Sequence, residues 1–158
     1  MPALDNPWER PIDVIIEDQK AQNTAGGTAT SGSWQTRTLN TLVRNHGTLA
    51  SLATNQFTLP AGTFYIAWSA PACQCDGYQT RLQNITDTST AGVGSSELSG
   101  SSDTMGTRSC GSAVVTLAGA KAFEVQMQVL TTKASNGHGN PANFTTEIYA
   151  RVEISKVA

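Results

Sequence analysis

The sequence predicts an all-β domain, an antiparallel jelly-roll β-sandwich, and two features support this. Short runs of alternating apolar and polar residues recur along the chain with turn-forming residues between them, and no stretch shows helical periodicity. Charged residues make up 14% of the 158 residues, against about 25% in a typical soluble domain. Ser, Thr, Asn, Gln and Gly take their place, and these short polar residues favour turns and strands over helices.

The predicted core comes from three strands whose alternate residues are apolar. These residues are Phe64, Ile66, Trp68 and Ala70 in the first, Phe123, Val125, Met127 and Val129 in the second, and Ile148, Ala150, Val152 and Ile154 in the third. A period of two with one apolar face is typical of a half-buried antiparallel strand. We therefore expect these faces to fill the centre of the sandwich.

The opposite faces of the same strands carry few charges near their middles. They present Tyr65, Ala67, Gln126, Gln128 and Tyr149. A surface depleted in charge and enriched in Tyr is typical of a protein contact. We expect these five residues to lie in a subunit interface, and an ordinary neutral surface is the alternative.

Residues 1–11 are predicted to form an N-terminal docking arm, and residues 12–158 the jelly-roll domain. Pro2, Pro7 and Pro11 exclude a stable helix or central strand in the arm. Leu4 and Trp8 are its candidate partner-docking residues, because Trp is favoured as a buried anchor. The alternative is that Trp8 packs on its own domain.

Composition and the N-terminus exclude several classes of partner. The formal net charge of −2 gives no field that would attract nucleic acid. No run of about 18 apolar residues is present, so we expect no membrane insertion. The N-terminus lacks a cationic end followed by an apolar stretch, so we expect synthesis in the cytoplasm of the producing cell.

The sequence offers no catalytic motif, so we expect a protein that is not an enzyme and uses no cofactor. His46 and His138 stand alone in predicted turns, and neither a nucleophile elbow nor a phosphate-binding loop is present. Cys73, Cys75 and Cys110 are too few and too scattered for a metal site, and in a reducing cytoplasm we expect thiols.

One predicted loop suits recognition of sugar hydroxyls. The segment KASNGHGNPAN is rich in amide groups, and its candidate ligand-binding residues are Asn136, His138 and Asn140. Jelly rolls also occur in lectins. A loop that is polar merely because it is exposed to water is the alternative.

Several segments resemble a known family. SWQTRTLNT, NQFTLPAGTFYIAWSAPA, RLQNIT and EIYARVEIS resemble the jelly roll shared by tumour necrosis factor and the globular head of complement. The segments VIIEDQK, SGSWQTRTLNT and FTLPAGTFYI are similar to sequences of modules of this shape in tailed-bacteriophage virion proteins. The resemblance covers residues 12–158. It implies a homotrimer built on an inner sheet containing the strands that begin at Gly62, Ala122 and Thr145, and it implies no catalytic residues.

The resemblance implies that this is a structural virion protein, which we expect to be made in the host cytoplasm and located in the virion. The first hypothesis is a trimeric tail or fibre component whose outer loops contact the host surface, where a glycan is one partner. The alternative is a capsid decoration protein, a cement or head-fibre protein, that docks on other virion proteins through its N-terminal arm. A carbohydrate-binding module is a further alternative, and a secreted trimeric ligand of animal type ranks last.

Overall fold

Antiparallel strands make up nearly all the regular structure of this computed structural model, which describes residues 11–102 and 105–157. The first sheet has the order β10 (Gly106–Leu117), β6 (Gly62–Cys73), β12 (Glu147–Lys156), β1 (Val14–Lys20) and β3 (Thr41–Asn45). The second sheet has the order β4 (Ser51–Ala53), β5 (Gln56–Leu59), β11 (Lys121–Val129), β7 (Asp76–Asn84) and β8 (Ser89–Val93). In the second sheet, β2 (Gln35–Thr36) also pairs with β11, and β9 (Glu97–Ser99) with β7. The predicted all-β jelly-roll sandwich is confirmed.

The core lies between the two sheets. Phe64, Ile66 and Trp68 of β6 are buried as predicted, and so are the apolar residues of β11. Phe123 stacks on Phe57 of β5, with ring centroids 5.7 Å apart. Burial of each large apolar side chain contributes about 1.5–3 kcal/mol, so these two strands supply much of the stabilising free energy.

The corner before β6 shows why that strand begins where it does. Gly62 has a φ of 145°, a conformation that glycine adopts readily and side chains hinder. Pro60, two residues earlier, restricts its own φ and cannot donate a backbone hydrogen bond. The segment TLPAG therefore turns the chain into the first sheet.

The prediction that β6, β11 and β12 share one sheet is wrong for β11. β6 and β12 pair with each other, but β11 pairs with β5 and β7 in the second sheet. Alternation shows which face of a strand is buried, and both sheets bury a face against the same core. Gln126 and Gln128 therefore lie on the outer side of the second sheet, away from Tyr65.

The predicted exposure of Tyr149 is also wrong. The pairing of β1 with β12 shifts between Glu17 and Gln19, which face Arg151 and Ile148, so β12 carries one extra residue there. Such a bulge breaks the period of two. As a result Tyr149 is only 4% exposed, whereas Ile148, predicted to be in the core, is 46% exposed.

The two ends of the sandwich differ. At one end, which we call the terminal end, Asp13 donates to the carbonyl of Ile154 and Val157 to that of Thr63. At the other, the far end, β6 finishes at Cys73 and Leu130 donates to the carbonyl of Gly77. Both ends of the described chain therefore lie at the terminal end.

Candidate functional site

The outward side of β10, β6 and β12, which we call the open face, is the first candidate site. Tyr65 lies directly opposite Val114, and the two side chains are 39% and 64% exposed. Ala67 opposes Ser112, and the exposed Cys110 opposes Ser69 in the same way. From Tyr65 and Val114 to Ala67 and Ser112 the sheet presents apolar and small side chains, and the charge of the exposed Arg108 lies beyond them, where its guanidinium donates to the Ser69 hydroxyl at 2.8 Å and to the carbonyl of Tyr149 at 2.6 Å.

The charges on the β12 side of the open face are paired with one another. Arg151 lies 3.3 Å from the buried Glu17 and 2.9 Å from Glu153. Gln19 donates a further hydrogen bond of 2.7 Å to Glu17. Two carboxylates share one guanidinium here, so a partner that covers this side meets an ion-paired group with a net charge of −1.

Tyr149 stabilises its own chain instead of presenting itself to a partner. Its hydroxyl donates to the carbonyl of Thr24 at 2.7 Å, and burial raises its pKa to about 12. Its ring packs so closely on Gly139 that a Cβ there would lie 2.3 Å from the ring. The described contacts therefore give Tyr149 a role within the subunit.

The predicted ligand loop is only partly exposed. Asn140 is exposed and accepts a hydrogen bond from Asn136, but His138 is buried, which contradicts its prediction as a ligand-binding residue of an exposed loop. Its backbone donates to Gly27 at 2.9 Å. Burial and the charge of Arg37 lower its pKa to about 3. The loop folds against the domain because Gly137 permits close approach: a Cβ there would lie 2.7 Å from the backbone nitrogen of Ala29.

Arg37 holds this loop in place, and the sequence analysis missed it. The side chain is fully buried, donating to the carbonyls of Pro71 at 2.7 Å and His138 at 3.0 Å. Burial lowers its pKa to about 10, and the charge of Asp18 opposes that shift. One signal in the sequence could have indicated its burial: Arg37 lies two residues before the apolar Leu39, so in an alternating strand both side chains face the same side.

The second candidate site is a groove of about 640 Å³ on the outer side of the second sheet, at the far end. We call it the outer-sheet groove. Its lining includes Trp34, Gly77, Gln79, Leu98, Gln128 and Leu130. The predicted interface residue Gln128 therefore lies in a concave site instead of on the open face. Trp34 was not singled out from the sequence, because a single Trp in an alternating segment gives no sign of a groove.

Three further predictions concern the docking residues of the arm, metal binding and membrane insertion. Leu4 and Trp8 lie outside the described residues. Within residues 11–102 and 105–157, no three His, Cys, Asp or Glu side chains are grouped so as to hold a metal ion. In the same part of the chain, no helix has the length and apolar character needed to cross a bilayer.

Comparisons with known proteins identify the fold. No protein-family model matches the sequence, and no curated protein matches it. The globular domain of zebrafish complement 1qA protein matches with a TM-score of 0.57 and 14% identity, covering 95% of this chain and 98% of that one. Murine APRIL at pH 8.0 matches with a TM-score of 0.58 and 9% identity, covering 91% and 97%. The chain therefore has a jelly roll of the type found in complement heads and tumour-necrosis-factor-like proteins.

Proposed function

We propose that this protein is a non-enzymatic structural component of a virion, and that it assembles as a homotrimer through its open face. The open face carries the proposal. It is a continuous sheet surface on which Tyr65 and Val114 expose apolar area side by side, while neighbouring positions are small and uncharged. Clustered apolar exposure of this kind marks association surfaces.

Burial of the open face would be favourable for simple physical reasons. Obligate interfaces bury roughly 2,000–5,000 Å² in total and are more apolar than ordinary surface. The small side chains Ala67, Ser69 and Ser112 let a neighbouring subunit approach the sheet closely. Arg151 bonds both Glu17 and Glu153 at the border of this area, and Arg108 donates to Ser69 and to the carbonyl of Tyr149, so these charged groups already have polar partners within the subunit.

The virion assignment is supported by the sequence resemblance to bacteriophage modules and by the arrangement of the two ends. Asp13, near the start of the described chain, donates to the carbonyl of Ile154 at the terminal end, so the arm of residues 1–11 joins the domain there. If the arm docks on the particle, the far end points away from it. That orientation favours a tail or fibre component whose far end contacts the host surface.

A capsid decoration protein is the second candidate, because the same arm and the same trimer serve it equally well. The two candidates differ only in the structure to which the arm attaches. Electron microscopy of virions carrying a label on this chain separates them. Label on the tail supports the first candidate, label on the shell supports the second, and virions without label contradict both.

A substitution in the open face tests the assembly. Val114→Glu places a charge where the partner should exclude water, so we expect the trimer to dissociate or fail to form. Leu130→Glu is the matched control, since Leu130 is as exposed as Val114 but lies outside the open face. Size-exclusion chromatography of both variants measures the result. Trimers of equal stability in both variants would contradict the assignment of the open face.

A further inference from the structure

We propose that the outer-sheet groove binds a neutral saccharide, with one sugar ring stacked on Trp34. The inference goes beyond assembly, because the groove lies on the second sheet and the open face on the first. It also moves the ligand site away from the loop of Asn136, His138 and Asn140. Four features of the groove support it.

The first feature is an open space in the floor of the groove, which exists because residue 77 is a glycine. Gly77 lies in the floor of the groove, opposite Leu98 in the sheet, and its carbonyl accepts from Leu130. A Cβ at Gly77 would lie 3.9 Å from Leu98 and 4.0 Å from Leu130, both ordinary contact distances. The missing side chain therefore leaves open a space that a larger residue would fill without backbone strain.

The second feature is an aromatic wall that is fixed in advance. The guanidinium of Arg81 lies 4.4 Å from the ring centroid of Trp34, within cation–π range. Arg81 in turn donates to Gln126 at 2.7 Å, and Gln126 donates to Glu124 at 2.5 Å. These bonds tie Arg81, which lies against the Trp34 ring, to the surrounding sheet, so binding loses little side-chain entropy. The ring lines the groove and can pack against the C–H groups of a sugar.

The third feature is a set of neutral hydrogen-bonding groups. Gln79 donates to the carbonyl of Gly94 at 3.0 Å and to Ser96 at 3.2 Å, which orients its amide oxygen as an acceptor. The side chain of Gln128 makes no hydrogen bond to another described residue. Amides both donate and accept, as sugar hydroxyls do. A groove with an aromatic wall and a few such groups is typical of small-ligand sites.

The fourth feature is that the described lining does not suit anionic ligands or peptide strands. Glu97 is the charged residue in the described lining, where its carboxylate repels anionic ligands such as nucleotides or acidic glycans; the guanidinium of Arg81 is held by Trp34 and Gln126 and is not part of that lining. Added peptide strands bind at a sheet edge, but the groove lies on a sheet face where β7 is already paired on both sides. The chemistry of the lining therefore favours a neutral saccharide.

Calorimetric titration of the purified full-length chain tests the proposal. The probes are neutral hexasaccharides built from glucose, galactose, mannose or N-acetylglucosamine, each at up to millimolar concentration. We expect at least one to bind. Trp34→Ala should weaken that affinity by about tenfold or more, because the stacking surface is lost. Gly77→Val should weaken it similarly by filling the groove, while Trp34→Phe should retain part of it.

Phe144→Ala is the matched control, since Phe144 is an exposed aromatic outside the groove, and its affinity should stay unchanged. Failure of every probe to bind would overturn the proposal, as would binding that Trp34→Ala and Gly77→Val leave intact. Circular dichroism and the mass of each variant show whether fold and assembly are retained. Because the titration needs no virion, its failure is distinct from failure of the assembly proposal.

Discussion

At the scale of single residues, the buried cluster around Arg37 stabilises the far end of the domain. Its guanidinium joins the end of β6, through Pro71, to the loop of His138. The imidazole of His138 is buried beside this charge, and its Nε2 atom has no partner among the described residues. A neutral histidine is therefore required at this position in the folded state.

This requirement predicts a dependence of stability on pH. The pKa of His138 falls from 6.5 to about 3 on folding, so the unfolded chain binds more protons between these values. Stability from this group is complete above pH 6.5 and is lost as the pH falls towards 3. At pH 5 the loss should be about 2 kcal/mol.

The comparison that checks it is urea unfolding of the wild type and His138→Gln at pH 7 and pH 5. The variant should lose less stability on acidification. The pKa of Asp18 is raised by burial, an effect of opposite sign, but Asp18 is present in both proteins and its effect cancels in the comparison. Equal losses in the two proteins would show that His138 does not titrate as described.

At the scale of strands, Trp68 of β6 packs over two glycines, one in the adjacent strand β10 and one in β8 of the second sheet. Gly111 of β10 lies directly opposite it, and a Cβ there would lie 2.2 Å from the indole. Gly92 of β8 is similarly close, at 3.0 Å. The indole nitrogen donates to Thr80 of β7 at 3.0 Å, which ties the two sheets together.

Gly111→Ala should therefore destabilise the domain by overpacking, by about 1–3 kcal/mol. Gly119→Ala is the control, because a Cβ at Gly119 meets no atom within 4 Å. The melting temperatures of the two variants measure the difference. Equal melting temperatures would mean that Trp68 can move aside without cost.

Much of this strand-level arrangement could be predicted from alternation alone. The buried faces of β6 and β11 follow directly from it, because a sheet that covers a core must alternate. The sheet to which β11 belongs could not be predicted, since both sheets cover the same core. The bulge that buries Tyr149 could not be predicted from the sequence either, because an extra residue changes the strand pairing without changing the local composition.

The candidate sites were less predictable than the fold. Tyr65 and Ala67 could be placed on the open face, because low charge in a strand middle is visible in sequence. The outer-sheet groove could not be found, since Trp34 and Leu98 line the same groove only through strand pairings distant in sequence. The burial of His138 depends on contacts with Arg37, which lies about a hundred residues away along the chain.

At the scale of the whole molecule, the arm of residues 1–11 precedes the sandwich, and the described core residues run from Val14 to Ile154. We expect its deletion to leave folding and assembly intact but to abolish incorporation into virions. Three arms on a trimer would bind with high effective concentration once one is docked, so Trp8→Ala should weaken incorporation markedly.

Virion composition after complementation with each variant, together with thermal melts of the free proteins, tests the arm. Normal incorporation of the deletion variant would place attachment in the jelly roll itself. A sharply lowered melting temperature would instead support packing of Trp8 on its own domain.

The central claim is that the open face is covered by two further copies of this chain. Light scattering coupled to size-exclusion chromatography tests it most directly, with the purified chain at micromolar concentration. The account predicts a single species of three times the 16.6 kDa chain mass, unchanged on dilution. A stable monomer of 16.6 kDa would contradict it.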